Sequence, residues 1–351
     1  MKRLVFLDWL RIFSFASVLI GHKFYPIFYY LSQDVSVHES LRFIIQLVLP
    51  FCFAGGAGVV VFFLVSGYVI THVLQKEQPL EFFIKRVFRI YPLYITVVLL
   101  QYSLYHIPID LHTLIPQLLL MGNFFDTPYT LNGVEWTLRV EILFYFFMFF
   151  LRYFKVIGKY EYLFPFALIG ATLAMNYIPQ LPSLAFANHG YLNIYAPFLF
   201  LGSFIWLYEN KKVSLASTSA FTSLVFIQHW HMIDTILPQW QHSHFASLAF
   251  ILFIAVWIMR DKLSCNRLIL YVSELTYSVY LVHTWLLDYI KQLTIAGGLF
   301  QRNRYALALM FALCALLVKV VEKPGIKVGK RVLQFLTTFE FRIIRDRKVR
   351  V

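Results

Sequence analysis

The sequence predicts an all-α, polytopic integral membrane protein, with about ten transmembrane helices around a central polar cavity. Three observations predict it. Of the 351 residues, 60% are hydrophobic and only 14% charged, where a soluble chain of this length carries about 25% charged residues. The mean hydropathy is +0.67. Apolar runs of spanning length also recur along the whole chain, and Lys and Arg concentrate in alternate connections between them.

Taken in order, the runs are 4–28, 57–75, 90–107, 138–152, 162–178, 191–208, 216–233, 245–259, 271–290 and 304–321. Each is apolar without strict alternation, as a helix in lipid requires. The run 41–53 is either a short helix at the outer surface or part of a long second helix. Glycines 55, 56 and 58 break it from the run 57–75. Lys2 and Arg3 precede the first run as in a signal peptide, but Asp8 and Arg11 interrupt its apolar core, so a retained first helix is expected.

With the amino terminus inside, the inner connections carry 23 Lys and Arg and the outer ones five: Lys23, Arg42, Lys291, Arg302 and Arg304. This bias places both termini in the cytoplasm. The outer connections 108–135, 179–190 and 234–244 have no Lys or Arg. The first contains LIPQLLLMGNFF, too apolar for a water-exposed loop, so it should re-enter or lie on protein at the outer face. The chain divides into two units: a transmembrane core, 1–322, and a basic cytoplasmic tail, 323–351, expected as an amphipathic interfacial helix.

The net charge of +13 sits in short loops and the tail, which suits anionic lipid and argues against nucleic acid. Cys52, Cys265 and Cys314 give neither a disulfide framework nor metal-ligand spacing. His229 with His231, and His242 with His244, are two apart and do not converge on a helix, so no metal is expected. Abundant Phe (37) and Tyr (22) suit aromatic belts and aromatic-lined cavities.

Ionisable residues within the runs are the functional candidates, because burying them in lipid costs several kcal/mol. Asp8, Arg11 and His22 occupy the first run. Eleven residues at about 100° each return Arg11 and His22 to one stripe, roughly 16 Å apart along the axis. Asp8 can reach Arg11 as an i,i+3 partner. Arg86 and Arg89, in FFIKRVFRIYPLY, share a helical face at an inner end. They can grip phosphates or simply obey the charge bias. Glu141 should pair with His22 at comparable depth, or with Arg11 or Arg139. His283 follows Tyr277 and Tyr280 at steps of three, a polar stripe whose histidine suits a core residue or gate better than a base. Ser66 and Gly67 mark a close-packing point.

In chain order these pieces resemble the membrane-bound acyltransferase 3 family. They are LDWLR with Arg11, ten residues, then His22; FFLVSGY at 62–68; the R-x-x-R of Arg86 and Arg89; WTLRVE at 136–141; TYSVYLVH at 276–283; and VEKP at 321–324. The resemblance implies an O-acyltransferase that takes an acyl group, commonly acetyl, from cytoplasmic acyl-coenzyme A. The acceptor would be a hydroxyl of a cell-surface or lipid-linked glycan at the outer face of the plasma (inner) membrane. Arg11 and His22 match the family's essential first-span pair, and Arg86 with Arg89 its cytoplasmic arginine motif. Many relatives carry a fused extracytoplasmic esterase-like domain. This chain ends about 30 residues after its last run, so it is expected to deliver acyl unaided or through a separate extracytoplasmic partner.

The expected chemistry has His22 as general base or acyl carrier, supported by Arg11 and Glu141. Arg86 and Arg89 bind the donor, while Asp8, Ser66, Tyr277, Tyr280 and His283 support the site. A transporter or flippase using Asp8, Arg11, Glu141 and His22 as a proton relay is the alternative. A non-catalytic scaffold would leave these buried charges unexplained.

Overall fold

A computed structural model describes residues 3–182, 188–293 and 303–349, with side chains of the last helix described through Thr338. Lys2, Arg302, Arg350 and residues 183–187 of the connection 179–190 lie outside the described residues. So do the tail's side chains from residue 339 on, including its apolar positions at 339, 341, 343 and 344. Among the described residues the regular structure is entirely helical.

The first run does not stay one helix. α1 (Val5–Lys23) ends at Phe24 and α2 (Tyr25–Gln33) restarts with Pro26 in its first turn, the position where proline's missing N–H costs nothing. His22 therefore stands one residue from a helix end. The run 41–53 becomes α3 (Glu39–Val48) and a tight turn, Leu49–Gly55, in which Ala54 (φ 49°) and Gly55 (φ 70°) are left-handed. This turn closes over the end of α1 and starts α4 (Gly56–Leu74).

α5 (Pro79–Leu104) begins eleven residues before its expected start, because Gln78 and Glu81 form a reciprocal cap and Pro79 takes the first position. The extra turns bring Arg86 and Arg89 onto a regular helix. In the apolar connection, α6 (Leu111–Leu118) is capped by Asp110 and packs on α5. There the Tyr94 hydroxyl donates to the Gln117 carbonyl, at 2.8 Å, and that of Tyr102 to Gln117 Oε1, at 2.7 Å.

The remaining helices are α7 (Trp136–Tyr153), α8 (Phe164–Ala174), α9 (Tyr191–Glu209), α10 (Leu215–Ile236), α11 (Phe245–Ile258), α12 (Arg267–Val282), α13 (Trp285–Leu293), α14 (Asn303–Leu317) and α15 (Lys323–Val349). The expected run 271–290 is thus broken at His283 and Thr284. α15 packs on α5, with Gly325 and Gly329 lying against Pro92 and Phe88.

The core is built on α9, buried at every residue from Tyr191 to Leu207, as only a helix surrounded by others can be. It crosses α4 where a β-carbon on Gly67 would lie 1.8 Å from the Leu199 carbonyl oxygen, and one on Gly202 2.1 Å from that of Leu64. Among the described residues, 4 helical stretches are long and apolar enough to cross a membrane: Val5–Lys23, Glu39–Leu74, Tyr191–Glu209 and Asn303–Thr338. That is fewer than the ten apolar runs; α8, α11 and α12, for example, are each shorter than 18 residues.

Candidate active site

Two cavities meet between these helices. The first, about 130 Å³, is lined by Arg11 of α1, Ser66 of α4, Arg86 and Arg89 of α5, Glu141 of α7 and Tyr277 of α12. Helical spacing puts both α5 arginines on one face, a turn apart. Three guanidiniums thus converge on one space, although their sequence positions span separate motifs.

The expected i,i+3 pair of Asp8 and Arg11 is present, but Asp8 has closer partners. Asp8 is buried, and Arg3 holds it by two hydrogen bonds of 2.7 and 3.0 Å while Ser273 donates a third at 2.7 Å. Arg11 is the looser partner of Asp8, at 3.5 Å. Arg89 meets Glu322 at 3.0 Å, and Arg86 approaches Glu77 at 4.0 Å. Sequence reasoning missed Arg3 and Glu322. For Glu322 a signal existed, since it belongs to the VEKP piece.

Glu141 does not meet His22, Arg11 or Arg139. Its carboxylate accepts from the Ser66 hydroxyl and, at 2.6 Å, from that of Tyr145. Glu141 lines the first cavity and His22 a second one, so the two side chains do not share a space. Ser66 is therefore more than a packing residue beside Gly67: it fixes a buried carboxylate. Arg139 is buried in a separate cluster, donating to Asn123 Oδ1 at 2.7 Å and lying over the Tyr129 ring. A relay running from Asp8 and Arg11 through Glu141 to His22 is not assembled.

The second cavity, about 140 Å³, lies on the other side of Tyr280 and is lined by His22, Asn132, Trp136, Asn188, Tyr191 and Trp240. His22 is accessible there. Its Nδ1 lies 2.9 Å from Nε2 of His283, whose Nδ1 is 2.7 Å from the Tyr280 carbonyl oxygen. The partner of His22 is thus His283, at the break between α12 and α13.

Val59 and Tyr280 line both cavities. Phe62 stacks on Tyr280, with rings 6.3 Å apart and 5° from parallel. The Tyr280 hydroxyl accepts from Thr137 at 2.7 Å and donates to the Val134 carbonyl at 2.9 Å. Tyr277, one turn away, donates to the Ile90 carbonyl at 2.9 Å and ties α12 to α5. An aromatic wall therefore separates a cationic chamber from a histidine chamber. Among the described residues no cluster of three or more His, Cys, Asp or Glu is placed to hold a metal ion. Cys52, Cys265 and Cys314 are free.

Fold and composition define a helical membrane protein with a polar site inside it. The family model described as an acyltransferase domain matches residues 4–321. The chain belongs to the acyltransferase 3 family and is an acyltransferase. No curated protein and no solved structure matches it.

Proposed function

We propose that the protein transfers an acyl group, commonly acetyl, from cytoplasmic acyl-coenzyme A to a hydroxyl of a cell-surface or lipid-linked glycan. One observation carries this reading: a chamber of three arginines and a chamber holding an accessible histidine lie back to back across a single aromatic wall. Coenzyme A is a phosphate-rich nucleotide on a long amide arm ending in sulfur. Arg11, Arg86 and Arg89 supply the forked donors that phosphates need. The rise from Arg11 to His22, roughly 16 Å, suits the arm. Ser66 and Glu141, on the way, offer it hydrogen bonds.

The histidine chamber suits a sugar. Trp136, Tyr191 and Trp240 present flat apolar faces, and Asn132 and Asn188 offer amide donors and acceptors. There His22 removes the proton of the acceptor hydroxyl as its oxygen attacks the thioester carbon. The carbon–sulfur bond breaks, and the imidazolium returns its proton to the coenzyme A thiolate. In this reading the chain spans the plasma (inner) membrane about ten times with both termini in the cytoplasm, and delivers acyl directly or through a separate extracytoplasmic partner.

The test is a pair of variants in cells whose envelope glycan is acylated by this chain. His22→Ala abolishes acylation while the protein stays folded in the membrane; full acylation by that variant overturns the assignment of the base. Arg86→Ala with Arg89→Ala weakens acetyl-coenzyme A binding by about tenfold or more, given 1.5–3 kcal/mol for a hydrogen bond to a charged group. The readout is the ligand-induced thermal shift in detergent, and an unchanged shift removes the phosphate grip.

A further inference from the structure

The two histidines share one hydrogen bond, and only one arrangement of protons satisfies both. His283 is 1% exposed. Its Nδ1 faces the Tyr280 carbonyl at 2.7 Å and its Nε2 faces His22 Nδ1 at 2.9 Å. A carbonyl only accepts, so His283 Nδ1 carries a hydrogen. A neutral imidazole carries one, which leaves His283 Nε2 bare and able only to accept. His22 must then donate from Nδ1, and its Nε2 is the nitrogen with the free lone pair. The reverse order would set two lone pairs face to face at the Tyr280 carbonyl.

We propose that His283 is a positioning residue that locks His22 in the Nδ1–H tautomer and so makes Nε2 the base. The inference rests on the acyl-transfer reading for its consequence, though not for its geometry. His22 Nε2 is the nitrogen that faces the Gly55 turn, where an added β-carbon would come within 3.3 Å of it. After Nε2 takes a proton, the imidazolium still donates from Nδ1 to His283 Nε2.

The device comes from the helix break. The last carbonyls of a helix have no partner within it. α12 ends at Val282, so the Tyr280 carbonyl is free to accept from the side chain three residues on. The YxxH spacing in TYSVYLVH supplies that side chain. No carboxylate takes this place: Asp288, five residues further along, is bonded to Lys23 at 2.6 Å. The orienting role that an acid has in a serine-protease triad falls here to a neutral histidine anchored on backbone.

Two arms test the proposal. In the first, the protein carries ring-¹⁵N histidine and sits in lipid bilayers above the pH at which His22 charges. The His22 signals are identified by subtracting the His22→Ala spectrum. The expected result is a protonated Nδ1 and a bare Nε2; a protonated Nε2 on neutral His22 overturns the assignment. In the second arm, His283→Gln can accept from His22 and donate to the Tyr280 carbonyl, so it retains most of kcat. His283→Leu loses about 10–100-fold in kcat, the usual cost of removing an orienting partner, with KM for the acyl donor unchanged. Equal losses in the two folded variants, or a His22 tautomer unaltered in His283→Leu, refute positioning. If instead His22→Ala retains full acyl transfer, the functional reading fails and the tautomer result still stands by itself.

Discussion

Glu135 sits in the turn before α7, fully buried, and accepts from the amide and hydroxyl of Thr130. Burial pushes its carboxyl up to about 7, against the pull of Arg139, whose guanidinium is 3.6 Å away. In the unfolded chain it ionises near the ordinary glutamate value. Between those two values the native state holds a proton that the unfolded chain has released. Stability therefore falls as pH rises through that window and levels off above about 7. The melting temperature in detergent should drop between about pH 5 and pH 7, and Glu135→Gln should flatten that slope. A wild-type melting temperature that rises over this range would contradict the burial effect. The same limit on sequence reasoning applies at Asp8 and Glu141. Spacing along one helix names the neighbours at i+3 and i+4, but Arg3, Ser273 and Ser66 arrive from an extended end or another helix.

At the scale of elements, the crossing of α4 and α9 depends on two facing glycines, and backbone atoms are what a side chain would strike there. Gly67→Ala or Gly202→Ala must push the helices apart, at a cost of several kcal/mol. Gly170→Ala on α8, with nothing within 4 Å of the added carbon, is the control. The expected outcome is loss of monodisperse protein on size exclusion for the first two and none for the third. Gly67 was legible as a packing point from its place beside a serine in an apolar run. Gly202 carries the same marker, a neighbouring serine at 203 in an apolar run, but the sequence does not say which two such points face each other. The helix ends at Phe24 and His283 were also missed. A hydropathy window averages over about a span's length, so it runs straight through a one-residue break.

Over the whole molecule, the distribution of Lys and Arg predicts which loops face the cytoplasm. This predicts a labelling pattern in a Cys265→Ser background, with Cys52 and Cys314 buried. A membrane-impermeant maleimide added to intact cells should modify Ser36→Cys, between α2 and α3, and not Ser214→Cys, just after Lys211 and Lys212. The opposite pattern would invert the topology and put the three arginines on the wrong side for a cytoplasmic donor.

What the amino-acid order determined by itself is the class of molecule and its polar vocabulary. A 60% hydrophobic composition, basic residues gathered in alternate connections and a few costly charges within apolar runs are properties of the chain order, so they survive without a fold. Which charge meets which was decided only by tertiary structure. Arg11, Arg86 and Arg89 share a chamber because several helices converge, and His22 pairs with His283 because two separate helices both end there. A partner at a distance of 261 positions along the chain leaves no periodic trace, since helical spacing relates residues only within a turn or two of one another.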